Sequence, residues 1–262
     1  MTLHRPIGIF DAGIGSYAVV ERVRARFPLQ DLVYFADRAS FPYGTKTPAE
    51  LLASVRSATE YLSGEGCVAV VLASNAPSVV VLDALRAAVA VPVIGIFPPV
   101  REAIERSRSK QVAVLGVRSM IVSEAMRSYA ENYRTPESRV LLVDASPLVD
   151  LVENFIFLND PLSTREIVSR FIEEVRRANP DVDVMTMSST HLPWLKSFFQ
   201  SAAPDVVFLD PADAVLEELH PYTSVALGQT CVVATETTEF SLEKFNAALR
   251  SLGVSHQARL RG

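Results

Sequence analysis

Short polar side chains gather where apolar runs of the sequence break, and their types suit ligand binding and proton transfer. Three such breaks are Asp11, Ser74-Asn75 and Ser188-Ser189-Thr190-His191. Carboxylate and imidazole groups are the usual general acids and bases of enzymes. Hydroxyl and amide groups donate and accept the hydrogen bonds that hold a small polar ligand. These breaks are therefore the candidate chemical groups of the chain.

Ser189 and His191 are two residues apart, so at the end of a strand their side chains can point to the same side. That spacing raises the hypothesis of a serine hydrolase. The glycine-flanked nucleophile turn of such enzymes is missing around Ser189. The sequence therefore favours His191 as an orienting or acid/base group over half of a catalytic triad.

Helix capping is the simpler interpretation of each break, because Ser, Thr, Asp and Asn satisfy the first free N–H groups of a helix. We assign Asp144 and Asp210 to caps alone. For the other breaks, capping and ligand binding both stay open.

The elements that would position these residues are short Val- and Ile-rich runs alternating with stretches of helical spacing. The predicted strands are residues 7–10, 32–35, 68–73, 91–96, 112–116, 140–143, 182–187, 206–209 and 231–234. Most are continuously apolar, which is typical of strands covered on both faces by helices. Alternation of this kind predicts an α/β fold with doubly wound parallel sheets. In such sheets ligands bind outside the carboxyl ends of the strands.

Two of the breaks resemble each other. Residues 73–78 and 188–193 each follow an apolar strand with small polar residues and then a proline near a helix start. This similarity predicts two related α/β halves, each of which offers one strand-end loop.

Bulk composition excludes several classes of protein. The chain has 262 residues, a net charge of −5 and 49% hydrophobic residues. Arg22, Arg24 and Arg26 form the densest basic cluster, which we interpret as a solvated helix face, so no nucleic-acid partner is expected. No apolar run nears the roughly 18 residues of a membrane span, and the N-terminus lacks a signal-peptide pattern. We expect a cytoplasmic protein with two unpaired cysteines, Cys67 and Cys231, packed as small hydrophobes.

Two longer motifs stand out, GIFDAGIG at 8–15 and YFADRASFPYG at 34–44. With the segments above, these motifs resemble the glutamate racemases of the aspartate/glutamate racemase superfamily. Shorter matches are Asn75, Val114-Leu115-Gly116, Leu151-Val152-Glu153 and Thr190-His191-Leu192-Pro193. They follow the family's order over nearly the whole chain.

The resemblance implies two similar doubly wound parallel-sheet lobes with a cleft between them. One lobe would comprise residues 1–97 plus 211–262, and the other residues 98–210. It implies racemisation of glutamate, which supplies D-glutamate for peptidoglycan, without cofactor or metal. The expected ligand is a small acidic amino acid or dicarboxylate. A homodimer is one open option for the assembly.

The resemblance also assigns roles to residues, and it does so position by position. The catalytic positions are Ser74, Ser189, Asp11, Glu153 and His191. The substrate-binding positions are Ala12, Pro42, Tyr43, Gly44, Asn75, Ala76 and Thr190. In the family, one thiolate removes the α-proton and a thiol on the opposite face returns one.

The chain departs from this pattern where it matters most. Both family cysteines align with serines, Ser74 and Ser189, while Ala12 and Ala76 replace hydroxyl residues. A serine hydroxyl is a much weaker acid than a thiol, whose usual pKa is about 8.5. Three interpretations stay open. The natural protein has these serines and does something other than thiol-based racemisation, such as ligand binding alone; or the natural protein has cysteines and a Cys→Ser change was engineered to trap a ligand; or a different reaction, such as isomerisation or decarboxylation of small dicarboxylates, runs on the same scaffold. The changes at Ala12 and Ala76 favour the first.

Overall fold

The computed structural model describes residues 2–262, and contacts between Cα atoms divide them into two compact units. The first unit runs up to Ile96 and resumes at Ala212–Gly262, and the second is Phe97–Pro211. Each unit contains one parallel sheet with helices between successive strands. This is the α/β class with two doubly wound sheets that the sequence predicts.

The first unit contains a six-stranded sheet in the order β10-β9-β2-β1-β3-β4. Its strands are β1 (Ile7–Asp11), β2 (Leu32–Ala36), β3 (Ala69–Leu72), β4 (Val93–Gly95), β9 (Thr230–Ala234) and β10 (Ala258–Leu260). Its helices are α1 (Tyr17–Arg26), α2 (Pro48–Gly64), α3 (Asn75–Ala88), α11 (Ala212–Leu219) and α12 (Leu242–Ser251). Strands β1, β2 and β3 are buried along their whole length, as their apolar runs predict. The sequence patterns missed β10, a three-residue edge strand whose last two residues are exposed.

The second unit contains a four-stranded sheet in the order β6-β5-β7-β8. Its strands are β5 (Gln111–Gly116), β6 (Arg139–Asp144), β7 (Val184–Ser188) and β8 (Val207–Leu209). Its helices are α4 (Val100–Arg106), α5 (Arg118–Ile121), α6 (Glu124–Glu131), α7 (Ser146–Glu153), α8 (Ile156–Asn159), α9 (Pro161–Ala178) and α10 (Lys196–Ala202). The two sheets contain the two sets of strands that the sequence predicts.

Local signals explain where several helices begin. Helix α2 starts after Thr47 with a capping box, in which Thr47 and Glu50 satisfy each other's backbone N–H groups and Pro48 occupies the first turn. Helix α9 starts after Asp160, whose carboxylate accepts a hydrogen bond from the Ser163 N–H. The Asp144 carboxylate accepts from the Ser146 N–H at 3.0 Å, which agrees with its predicted capping role.

The predicted solvated basic face of α1 is wrong for one residue. Arg24 donates hydrogen bonds to the carbonyl oxygens of Pro28, Gln30 and Gln229 and to the Thr230 hydroxyl. A guanidinium carries five N–H donors, so a single Arg can tie several loop carbonyls together. Arg24 therefore joins α1 to the loops that precede β2 and β9.

The two cysteines are free, as expected. Burial raises the pKa of the Cys67 thiol to about 12, so this thiol is a packing group and not a nucleophile. Cys231 is only half-buried. Within residues 2–262, no helix combines the length and the apolar character needed to cross a lipid bilayer.

Candidate active site residues

Polar residues of the first unit collect at the carboxyl ends of its three central strands. Asp11 ends β1, Asp37 follows β2 and Ser74 follows β3, and these strands are neighbours in the sheet. The Asp37 N–H donates to the Asp11 carbonyl oxygen, and the Ala73 N–H donates to the Phe10 carbonyl oxygen, each at 2.8 Å. The parallel register therefore brings residues far apart in sequence to one sheet edge.

Asp11 and Asp37 are buried carboxylates, 4% and 6% exposed. Asp11 Oδ1 accepts a hydrogen bond from the Ala12 N–H at 2.7 Å. Asp37 accepts from the Tyr43 hydroxyl at 3.1 Å and from the Thr235 hydroxyl at 3.2 Å. Burial, followed by the charges of Asp37 and Asp11, raises the pKa of Tyr43 well above its usual range. Tyr43 is therefore a neutral donor that ties the loop after β2 to the sheet edge.

The other predicted residues of this loop are placed differently. Pro42 and Gly44 flank the buried Tyr43 and are exposed. The short turn Tyr43–Thr45 lies against α3. This contact places the Pro42-Tyr43-Gly44 segment beside the helix that begins after Ser74.

Ser74 precedes α3 and is half-buried, but its hydroxyl does not cap the helix. Among residues 2–262 the Ser74 hydroxyl has no hydrogen-bond partner. The capping interpretation is therefore wrong for Ser74. Among residues 2–262, no basic side chain accepts a hydrogen bond from the Ser74 hydroxyl.

Asn75 is 3% exposed, and its side-chain amide donates to the Ile96 carbonyl oxygen at 3.3 Å. Its Oδ1 atom is buried without a partner among residues 2–262. An unsatisfied buried acceptor is costly, so its presence points to a donor that arrives with a ligand. Ala12 is buried and Ala76 is half-buried, and neither can supply a side-chain hydrogen bond.

The second unit places Ser189, Thr190 and His191 in the turn after β7, and all three are buried. Ser189 Oγ lies 3.3 Å from His191 Nδ1, and His191 Nε2 lies 2.7 Å from Glu153 Oε1. Glu153 is the last residue of α7, and its side chain is 12% exposed. The backbone closes the turn through a bond from the Leu192 N–H to the Ser189 carbonyl oxygen.

Sequence reasoning named Asp11, Ser74 and Asn75 but passed over Asp37, Arg38 and Thr235. Arg38 is 7% exposed, donates to the Ala12 carbonyl oxygen at 2.7 Å and lies 4.8 Å from the centroids of both the Phe41 and Phe240 rings. The position of Asp37 directly after a buried strand was an available signal for that residue. Thr235 and Phe240 belong to the C-terminal segment, far along the chain from Asp37 and Arg38, so only the fold could show that they contact these residues.

Comparisons with known proteins place the chain in a family. The family model described as Asp/Glu/Hydantoin racemase matches residues 17–219. A glutamate racemase of Ralstonia nicotianae is 32% identical over 217 residues, which cover 82% of this chain and 76% of that protein. The crystal structure of glutamate racemase from Thermus thermophilus with β-chloro-D-alanine has a TM-score of 0.80 and 26% identity, covering 98% of this chain and 96% of that one.

A glutamate racemase structure from Escherichia coli in complex with L-glutamate has a TM-score of 0.84 at 20% identity, covering 98% of each chain. This likeness concerns the fold alone. The family model, by contrast, spans most of the sequence and includes both Ser74 and Ser189. The chain accordingly belongs to the Asp/Glu/Hydantoin racemase family.

Proposed function

We propose that this protein binds a small acidic amino acid, with glutamate as the first candidate, and that two-base racemisation is strongly impaired in it. The observation that carries the proposal is the unequal state of its two serines. Ser189 touches a His191–Glu153 pair, whereas the Ser74 hydroxyl contacts no base among residues 2–262. Ser189 can therefore exchange a proton through His191, whereas Ser74 has no base that would take its proton.

The chemistry of the Ser189 side follows from the tautomer of His191. The Glu153 carboxylate only accepts hydrogen bonds when ionised, so the neutral imidazole presents its Nε2–H to Glu153. Its Nδ1 lone pair then faces Ser189 and can take up a proton. His191 therefore acts as the general base and Glu153 orients it.

Substrate binding is assigned to groups with open hydrogen-bonding capacity. Asn75 Oδ1 would accept from the ammonium group of the amino acid. The exposed Pro42 and Gly44 and the buried Thr190 complete the proposed binding positions, with Tyr43 and Asp11 as their buried support. The glutamate racemase relatives support a small amino acid as the ligand class.

The test is the exchange of the α-proton of L- and D-glutamate in deuterated water, followed by NMR. We expect the unsubstituted protein to exchange one enantiomer slowly, or neither. The double variant Ser74→Cys, Ser189→Cys should exchange and interconvert both, because thiol pKa values lie nearer the working pH than those of hydroxyls. Either single variant should give at most one-sided exchange.

Two results would contradict the proposal. Racemisation by the unsubstituted protein at the rate of a two-cysteine relative would show that the serines are competent. A double variant that exchanges no proton of either enantiomer would show that the two serines are not the cause of the impairment.

A further inference from the structure

Ser189, His191 and Glu153 form a continuous hydrogen-bonded chain within the second unit. The distances are 3.3 Å from Ser189 Oγ to His191 Nδ1 and 2.7 Å from His191 Nε2 to Glu153 Oε1. A hydroxyl, an imidazole and a carboxylate in this order are the parts that activate a serine nucleophile, whatever the fold that carries them. The triad is recognised by geometry and roles, so the missing glycine-flanked turn does not exclude it.

The carboxylate fixes the imidazole for this task. The Glu153 and His191 side chains are 12% and 8% exposed, so their hydrogen bond is shielded from water. Glu153 ends helix α7 and the serine follows strand β7, so two separate elements fix the two ends of the chain. The Nδ1 lone pair is thereby held towards the Ser189 hydroxyl.

Two other serines, Ser74 and Ser128, lack the hydrogen-bonded imidazole and carboxylate that Ser189 has. Ser74, at the corresponding break after β3, has no partner for its hydroxyl among residues 2–262. Ser128 lies on the exposed side of α6, and no basic side chain accepts a hydrogen bond from it among residues 2–262. Of these three serines, only Ser189 is expected to be activated.

We propose that Ser189 is an activated nucleophile that accepts an acyl group from small carboxylic esters. Ser189 Oγ attacks the ester carbonyl carbon while His191 Nδ1 takes the hydroxyl proton. An Oγ–C bond forms, the C–O bond of the ester breaks, and the alcohol leaves with the proton from His191. Water then attacks the acyl carbon, releases the carboxylic acid and restores the Ser189 hydroxyl.

Ser189 is 5% exposed, so the smallest acyl donor, an acetyl ester, is the probe of choice. The activity requires neither Ser74 nor an amino-acid ligand, so it is independent of the proposed racemase-like function.

The experiment treats the full chain with 4-nitrophenyl acetate, follows nitrophenolate release, and maps acetylated residues by mass spectrometry. We expect acetylation at Ser189. The variant Glu153→Gln should slow it about tenfold or more, because the amide stabilises neither the required tautomer nor the imidazolium. The matched control Ser128→Ala should acetylate Ser189 at the unsubstituted rate.

Peptide mapping of the unsubstituted protein locates the adduct even where a variant folds poorly, and circular dichroism checks the fold of each variant. Acetylation confined to lysines and the N-terminus would overturn the proposal. Acetylation of Ser189 at an equal rate in Glu153→Gln would overturn it as well, because the chain of hydrogen bonds would then contribute nothing.

Discussion

At the scale of single residues, Ser74 and Ser189 stand where the resemblance to glutamate racemases predicts thiols. A hydroxyl in place of a thiol keeps the size of the side chain but raises the pKa far above neutrality. The structure adds a distinction between the two serines, because only Ser189 has an imidazole beside it.

The alanines at 12 and 76 lead to a prediction about affinity. A racemase with hydroxyl side chains at these two positions, as the resemblance implies, could make two hydrogen bonds that this chain cannot. Since a hydrogen bond to a charged group contributes about 1.5–3 kcal/mol, glutamate should bind more weakly here than in such a racemase, by about 100-fold or more. Calorimetry on both proteins under one condition measures the difference. Low-micromolar glutamate affinity of this chain would contradict the prediction.

Asn75 allows a second prediction at this scale. Its buried, unpaired Oδ1 should gain a donor on ligand binding, so Asn75→Leu should weaken binding by about 1–3 kcal/mol. The same change should lower the free energy of unfolding by less than it weakens binding, because it removes the unsatisfied acceptor together with the 3.3 Å hydrogen bond to the Ile96 carbonyl oxygen. Ligand titration and urea unfolding of the same variant separate the two effects. A variant that loses stability but binds normally would show that Asn75 is a structural residue.

At the scale of elements, close packing between β5 and its neighbours explains a glycine near the second group of site residues. A Cβ atom at Gly116 would meet Ile121 Cδ1 at 3.1 Å and the Ser188 carbonyl oxygen at 3.3 Å, besides the end of the Met120 side chain. Gly64 at the end of α2 has no atom within 4 Å of such a Cβ.

We therefore expect Gly116→Ala to lower the free energy of unfolding by about 1–3 kcal/mol, since the β7 backbone must shift to make room. The control Gly64→Ala should be neutral or stabilising by up to about 1 kcal/mol. Urea unfolding of both variants measures the contrast. Equal stability of the two variants would mean that the contact at Gly116 relaxes without cost.

A loop–strand connection in the second unit predicts a pH dependence. Burial favours a raised pKa for Asp183, but hydrogen bonds from the Ser107 hydroxyl, the Arg108 N–H and the Ser109 N–H and hydroxyl outweigh it and lower the pKa. A lowered folded-state pKa gives stability that is present above the usual aspartate pKa of about 3.9 and is lost as the pH falls through the folded-state value.

The variant Asp183→Asn should accordingly lose about 1–3 kcal/mol of stability at pH 7. The difference from the unsubstituted protein should shrink as the pH falls below about 4, because protonated Asp183 loses the same advantage. Urea unfolding across that range is the measurement. A constant difference at every pH would exclude the carboxylate charge as its source.

At the scale of the whole molecule, the chain order decides which segments can fold alone. The second unit, Phe97–Pro211, is one continuous segment with its own sheet. The first unit is discontinuous, because β9 from the C-terminal segment pairs with β2 on one side and with β10 on the other.

The predicted domain division, 1–97 with 211–262 against 98–210, can be tested with fragments. We expect the segment 97–211 to fold alone and to unfold cooperatively. The segment 1–96 should aggregate or stay unfolded, since β2 would expose the edge that β9 covers. Circular dichroism and thermal unfolding of both fragments measure this. Cooperative folding of 1–96 alone would contradict the expected dependence on the C-terminus.

The sequence by itself predicted the α/β class, every strand of the two sheets except β10, and the resemblance to racemases. Continuous apolar runs specify buried parallel strands, and polar residues directly after them mark the carboxyl edge of a sheet. These signals are local, so they can be read from neighbouring residues such as Leu72, Ala73 and Ser74.

Only the tertiary structure decided which of those polar residues meet. It brought Glu153 into hydrogen-bond contact with His191, 38 positions away, and paired the Asp37 carboxylate with the Thr235 hydroxyl from the C-terminal segment. It left the Ser74 hydroxyl without a hydrogen-bond partner among residues 2–262. It also used Arg24 for loop carbonyls, although its helical spacing predicts a solvated face. Hydrogen bonds between distant segments depend on strand order and register, and strand order leaves no periodic trace in the sequence.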